Sequence, residues 1–446
     1  MSGSHRERWS GRLGFTLAAV GSAVGLGNMW RFSYMTAENG GAAFVVLYVA
    51  MTLFVGLPVM LAELTVGRSA RRSPIQALVH FGGPAWKPLG ALFVAAGFVI
   101  LSYYSVIAGW TVRYALEGLT VGFPDDSGAH FEAIATGIPA VLWHVAFMAV
   151  TALVVSRGIR SGIERVSVVL MPLLALLVIG LAIYAATLDG AGAGYAYYLQ
   201  TDFREIVSFD VLKDAASQAF FSLSLGMGAM LTYASYLSRE HHLPHESLMI
   251  AVSDFGVAFV AGLVVFPLLF ALGLQEDVVA STVGALFITL PKAFATMGAA
   301  GQVIGLLFFL ALVMGALTSA ISLLEVVAAS VIDGLGWTRR RAAWLSAAAI
   351  AVLGIPSALR LDVLGLMDQI GANVFLLLGG LFLSLMVGWG KRDPTPDVSV
   401  GAEGVRWFFL WRGLLRFLVP AVLAVVLVFA FRDTWHAIAD LIGSLG

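Results

Sequence analysis

Apolar residues run along nearly the whole chain in stretches of about 20 or more, the length of helix that crosses a bilayer. Eleven stretches read this way, at 13–37, 42–67, 88–119, 138–156, 163–187, 211–238, 245–274, 301–333, 341–358, 362–389 and 407–432. Charged residues gather between them. The pattern predicts an all-α polytopic membrane protein in one domain, 1–446, since no linker or low-complexity segment divides the chain. The stretch 276–298, with Gly284 and Pro291 among short apolar runs, reads as a re-entrant hairpin and not a twelfth crossing.

Most spans are plain Leu, Val, Ala and Phe helices, but the first is interrupted by Gly21-Ser22-Ala23-Val24-Gly25-Leu26-Gly27-Asn28-Met29-Trp30-Arg31-Phe32. Glycine costs a helix about 1 kcal/mol. Freed carbonyls at membrane depth are tolerated only where protein buries them or they line a cavity. A small hard cation is a fitting guest, since it takes several oxygen ligands. The carbonyls of Gly21, Ala23 and Val24 with the side-chain oxygen of Asn28 would supply them. A glycine-packed helix interface is the alternative, although bare packing needs neither Asn28 nor Arg31.

Span six repeats the interruption at Gln218-Ala219-Phe220-Phe221-Ser222-Leu223-Ser224-Leu225-Gly226-Met227-Gly228. Interrupted helices at matching places in two halves point to an inverted repeat with its substrate near mid-membrane. The halves would be 13–187 and 211–389, with 407–432 an added helix. Half-helix N-termini would there face an anionic group.

Other intramembrane polar residues extend the picture. Thr318 and Ser319, after Gly315, would complete a second cation site with span one, unless their hydroxyls only bond back to their own helix. Asp254 in span seven is costly at membrane depth and by default functional, unless it lies at a wetter helix end. One hydroxyl of Tyr103-Tyr104 would hold a substrate carboxylate, with aromatic packing the competing reading for Tyr103. Glu63 and Glu325 are intramembrane acids without an assigned role. Gly162 and Pro172 predict local unwinding at the start of span five, because proline removes a backbone donor.

Charge gives sidedness. Lys and Arg in the loops divide seventeen to five between the two sides, which places the N-terminus in the cytoplasm and, with an odd span count, the C-terminus outside the plasma membrane. The absence of Cys excludes disulfides, thiolate nucleophiles and Cys-ligated metals. No His pair at ligand spacing lies within a span, so an intramembrane enzyme has no constellation to use, and repeated polar rings that would line a channel are lacking. Nothing points to nucleic acid.

Ala23-Val24-Gly25-Leu26-Gly27-Asn28 with Trp30-Arg31-Phe32, then Glu38-Asn39-Gly40-Gly41, resembles the neurotransmitter:sodium symporter family. So do Glu63 with Gly67-Arg68, Gly162-Ile163-Glu164-Arg165, Phe220-Phe221-Ser222-Leu223-Ser224 with Thr232-Tyr233-Ala234-Ser235-Tyr236, and Leu317-Thr318-Ser319. The likeness is to the bacterial amino-acid branch, and it implies the LeuT fold and two sodium sites. It implies a first site at Ala23, Asn28, Ser222 and Asp254, completed by the substrate carboxylate. The second would use Gly21, Val24, Gly315, Thr318 and Ser319. The amino acid would lie among Ala23, Gly25, Gly27, Ile100, Tyr104, Phe221, Ser222, Ser224, Met227, Ser319 and Leu323. Arg31 with Asp368, closed over by Phe221, would form the outer gate. Arg6 with Asp333, supported by Trp9 and Tyr236, would form the inner gate. A sodium-dependent sensor of the same fold that does not transport is the second reading.

Departures from the family pattern refine the expectation. Monoamine carriers place an aspartate where this chain has Gly25, so a substrate bringing its own carboxylate is expected. Met227 stands where the leucine-binding relative has phenylalanine, which predicts acceptance of aromatic as well as branched apolar side chains. Asp254 replaces a neutral residue that accompanies chloride dependence, which predicts chloride-independent transport; the register rests on Gly262 and Phe266, and a one-residue slip would point to Ser253. Ser33 stands where proline is usual.

Overall fold

The computed structural model describes residues 7–200, 209–239, 241–274, 285–402 and 407–443, and every regular element among them is helical. The first expected span is a bent pair, α1 (Arg12–Ala23) and α2 (Gly27–Glu38), turned by 48° at the break. Four unbroken helices follow, α3 (Ala42–Ala70), α4 (Pro84–Leu119), α5 (Gly137–Ser156) and α6 (Ile159–Ala185). The expected sixth span is two short helices, α7 (Phe209–Ser222) and α8 (Ala229–Ala234). The remaining long helices are α9 (Leu243–Ala271), α10 (Gly298–Leu335), α11 (Arg339–Leu359), α12 (Leu361–Trp389) and α13 (Phe408–Ala439). Among the described residues nine helices are long and apolar enough to cross a membrane, and the bent pair makes a tenth. Neither α7 nor α8 has that length alone.

Apolar residues line both the core and the outer faces of these helices. Leu176, Ile183, Val352, Phe409 and Val428 are more than half exposed, as expected of a surface solvated by lipid rather than water. The long helix α10 packs along α4, and α11 along α5, so the interrupted helices are enclosed by continuous ones.

Two expectations are modified. The start of α6 does not unwind: Ile159–Glu164 forms wide π turns and joins the α-helix containing Pro172. The π turns still bring the backbone unusually close, since a Cβ on Gly162 would lie 2.1 Å from the Val154 carbonyl oxygen. The re-entrant hairpin lies partly outside the described residues; from Ala285 a π turn leads into the short helix Leu290–Thr296.

Candidate functional site

The break in the first span spends its glycines on close approach. Val24 ends α1 in an extended conformation, and α2 opens with π turns over Gly27–Arg31. A Cβ on Gly25 would stand 2.4 Å from Ser319 Oγ and 2.9 Å from Tyr104 Oη, and one on Gly27 would stand 2.8 Å from the Phe221 ring. Asn28 turns back so that its Oδ1 accepts the Gly25 amide at 2.9 Å.

In the second break the chain takes left-handed conformations at Ser224 (φ 54°), Gly226 (φ 76°) and Gly228 (φ 73°). Glycine adopts these without a Cβ penalty, whereas Ser224 pays roughly 1–2 kcal/mol. Its hydroxyl offsets that cost by donating to the Ser22 carbonyl at 2.7 Å, which joins the two breaks. Gly226 also lies against α12, where an added Cβ would meet the Leu376 carbonyl oxygen at 2.1 Å. Glu63, whose role the sequence left open, accepts the Gly226 amide at 2.8 Å and the Leu231 amide at 3.2 Å. A carboxylate therefore serves the orphan amides of the interrupted helix, as helix N-termini require.

Between the breaks lies a small cavity of about 20 Å³. Its walls are Ala23, Gly25, Gly27, Ile100, Tyr104, Phe221, Ser224, Met227, Ser319 and Leu323, all expected there, together with Ser22. Ser222 is not a wall residue, because its side chain turns away from the cavity to Asp254. The Tyr104 hydroxyl accepts the Leu26 amide at 3.2 Å. Tyr103 is fully buried and its hydroxyl lies away from this cavity.

Beside the cavity four helices contribute one polar cluster. The Asn28 amide donates to Asp254 Oδ1 at 2.7 Å, to the Asp254 carbonyl at 3.0 Å and to Ser222 Oγ at 3.0 Å. Ser222 Oγ donates to both Asp254 carboxylate oxygens, at 2.9 and 2.8 Å. Tyr48, from α3, donates to Asp254 Oδ2 at 3.2 Å. The span-seven register therefore brings Asp254, and not Ser253, to Asn28. Ser222, Tyr48 and Asp254 present hard oxygen, the ligand type of an alkali or alkaline-earth cation, while Asn28 presents its amide nitrogen and keeps its oxygen on Gly25. No cluster of three or more His, Asp or Glu suited to a transition metal occurs among the described residues.

The second expected cation set splits. Ser319 Oγ donates to the Ser22 carbonyl at 3.2 Å and the Gly21 carbonyl at 3.5 Å, reaching the first break. Thr318 bonds back to Met314 and Gly315 of its own helix, each at 3.1 Å, while a Cβ on Gly21 would be 3.1 Å from Thr318 Cβ. Gly315 faces Gly25, and Val24 is buried at the end of α1.

A second, larger cavity of about 220 Å³ lies beyond Phe221. Arg31 and Asp368 both line it, yet no ion pair joins them. Arg31 donates instead to Asn373 at 2.9 Å, Ser217 at 3.1 Å and Gln218 at 3.2 Å, with its guanidinium 5.1 Å over the Phe221 ring. The expected direct Arg31–Asp368 pairing is therefore not made here, and Asn373, from the π turns at Gln369–Phe375, takes the guanidinium instead. Gln218 also donates to the Gly27 carbonyl at 2.8 Å.

At the opposite end, Trp9 donates to the Tyr233 carbonyl at 3.0 Å and packs edge-on to Tyr236. Tyr236 donates to Glu325 at 2.5 Å, and Arg339 bridges Glu325 to Glu7. Asp333 accepts the Ser73 amide at 2.7 Å; Arg6, its expected partner, lies outside the described residues. Tyr48, Gln218 and Asn373 were not assigned roles from sequence, although each is a polar side chain inside an apolar span, the signal that marked Asp254.

Two broken helices that enclose a cavity, with a hard-oxygen cluster beside it, define a membrane carrier of the LeuT fold. A model of the sodium:neurotransmitter symporter family matches residues 6–137 and 134–437. The chain is 34% identical to the uncharacterized sodium-dependent transporter YhdH of Bacillus subtilis (strain 168), over 96% of this chain and 98% of that one. It is 28% identical to the sodium- and chloride-dependent taurine transporter of Bos taurus, over 66% of this chain and 55% of the relative. The crystal structure of MhsT in complex with L-phenylalanine is similar throughout, with 41% identity and a TM-score of 0.88 over 96% of this chain and 100% of the other. The protein belongs to the sodium:neurotransmitter symporter family and is a sodium-dependent transporter, not an enzyme.

Proposed function

We propose that the protein carries apolar and aromatic L-amino acids into the cell together with sodium, by alternating access and without chloride. The cavity between the two breaks is the observation that carries this reading. Ile100, Phe221, Met227 and Leu323 supply apolar walls, while Tyr104 and the amides near Gly25 and Gly27 sit where a carboxylate would bind. Gly25 leaves room for a carboxylate that the substrate itself brings. The L-phenylalanine bound in the related MhsT structure supports the aromatic preference.

Two sodium ions would travel with the substrate. The first takes Ala23, Asn28, Ser222 and Asp254 with the substrate carboxylate as a further ligand. The second takes the carbonyls of Gly21, Val24 and Gly315 with the Thr318 and Ser319 hydroxyls; Thr318 turns from its own helix to do so. Because one carboxylate serves both guests, each raises the other's affinity by the same factor. The sodium gradient and the membrane potential then drive accumulation. Asp254 supplies beside the first site the negative charge that chloride supplies in other carriers.

Sidedness follows the loop charges, with the N-terminus cytoplasmic, the C-terminus outside and the halves 13–187 and 211–389 inverted. Arg31 over Phe221, held by Asn373 and Ser217, closes the outer path. Trp9, Tyr236 and Asp333, with Arg6, close the inner one. Uptake of radiolabelled L-phenylalanine into proteoliposomes tests the whole reading. Uptake should saturate, cease when sodium is replaced by choline, persist in gluconate without chloride, and be competed by leucine and tryptophan. Sodium-independent uptake, or competition by small aliphatics alone, would overturn it.

A further inference from the structure

The last span, which reads in the sequence as an addition to the repeat, contributes to the larger cavity. Asp433 and Ala430 of α13 line it together with Lys213, Ser217 and Arg31. The Lys213 ammonium donates to Asp433 at 2.7 Å and stands 3.6 Å from Asp214. Lys213, Ser217 and Phe221 are spaced four residues apart on α7, which puts them on one helix face. Successive turns of that face thus meet Asp433, then Arg31 and Asn373, then the substrate cavity. Turning or tilting α7 to move Phe221 must also move Lys213 relative to Asp433.

We infer that Lys213 is a positioning residue of the outer gate, and that Asp433 anchors it to the last span. The pair favours the closed setting of α7, with Phe221 over the substrate, without touching the substrate. The inference rests on the carrier reading above. A bias between open and closed states changes apparent affinity by the fraction of time the binding state is populated, so it acts on KM rather than on the rate of the loaded carrier.

The chain has no Cys, so Met35→Cys on the wall of the outer cavity gives a single reporter for a membrane-impermeant maleimide. In this background, sodium with L-phenylalanine should slow labelling. Lys213→Ala and Asp433→Asn should each weaken that protection and raise the KM for L-phenylalanine by about threefold, as expected for a half-buried ion pair, with kcat little changed. Lys213→Arg should retain both properties. The double variant should be no worse than the worse single one, the signature of a coupled pair. Unchanged protection and KM in both single variants, or losses that simply add, would overturn the inference. A reporter that ignores sodium and L-phenylalanine even with Lys213 and Asp433 intact would instead overturn the carrier reading. Sodium-dependent thermal stabilisation of each variant separates these results from misfolding.

Discussion

Asn28 and Asp254, 226 residues apart in sequence, are joined by two hydrogen bonds: the Asn28 amide donates to the Asp254 carboxylate at 2.7 Å and to its backbone carbonyl at 3.0 Å. The carboxylate is fully buried, and its other hydrogen-bond partners, Ser222 and Tyr48, are neutral hydroxyls. Neutral donors solvate a buried anion but do not cancel its charge, which makes this cluster the place to test the proposed sodium site.

Replacing that charge tests its role. In Asp254→Asn, uptake in chloride-free buffer should fall by about tenfold or more, the scale of one or two charge-assisted bonds. Added chloride should restore part of the loss. Sodium-driven uptake measured in chloride and in gluconate decides the point, and equal rates in the two buffers would remove Asp254 from this role.

Gly25 should tolerate no side chain. A Cβ there would be within 2.4 Å of Ser319 Oγ and 2.9 Å of Tyr104 Oη, and overpacking of this kind costs about 1–3 kcal/mol. Gly25→Ala should therefore weaken L-phenylalanine binding by about tenfold or more, measured by scintillation proximity, while sodium-dependent thermal stabilisation persists. Full-affinity binding would show that the ligand lies elsewhere.

Glu63 should matter to stability rather than to selectivity. It serves two amides of the interrupted sixth span, and leaving a buried donor unpaired costs about 1–3 kcal/mol. Glu63→Ala should lower the melting temperature in detergent more than Glu63→Gln, which keeps one acceptor oxygen. The rank order of competing amino acids should stay as in the parent protein. Equal melting temperatures for the two variants would contradict the account.

Glu325 and Arg339 form a pair in which the Glu325 side chain is fully buried. Removing only the cation strands that carboxylate, which costs about 3–5 kcal/mol, whereas replacing both partners is milder. Arg339→Met alone should therefore destabilise the protein more than Arg339→Met combined with Glu325→Gln. Differential scanning fluorimetry reads the order directly, and a double variant less stable than the single one would refute it.

The class of protein and the places where its helices break are written in the local pattern of residues. Runs of apolar residues long enough to cross lipid leave few alternatives to helices, and glycines accompanied by Asn28 and Arg31 ask for more than close helix packing. Ten of the eleven cavity residues were legible only through the resemblance that the motifs around those breaks carry to a known family. Tertiary structure alone decided which polar groups face one another across the fold. Tyr48 reaches Asp254, Glu63 reaches Gly226, and Arg31 meets Asn373 rather than Asp368, through helix rotations of a fraction of a turn. Periodicity fixes a residue's face only within a regular helix, and the π turns at Gly27–Arg31 and Gln369–Phe375 change that register where partners are chosen. Contacts between residues hundreds of positions apart are set by packing, which no local pattern encodes.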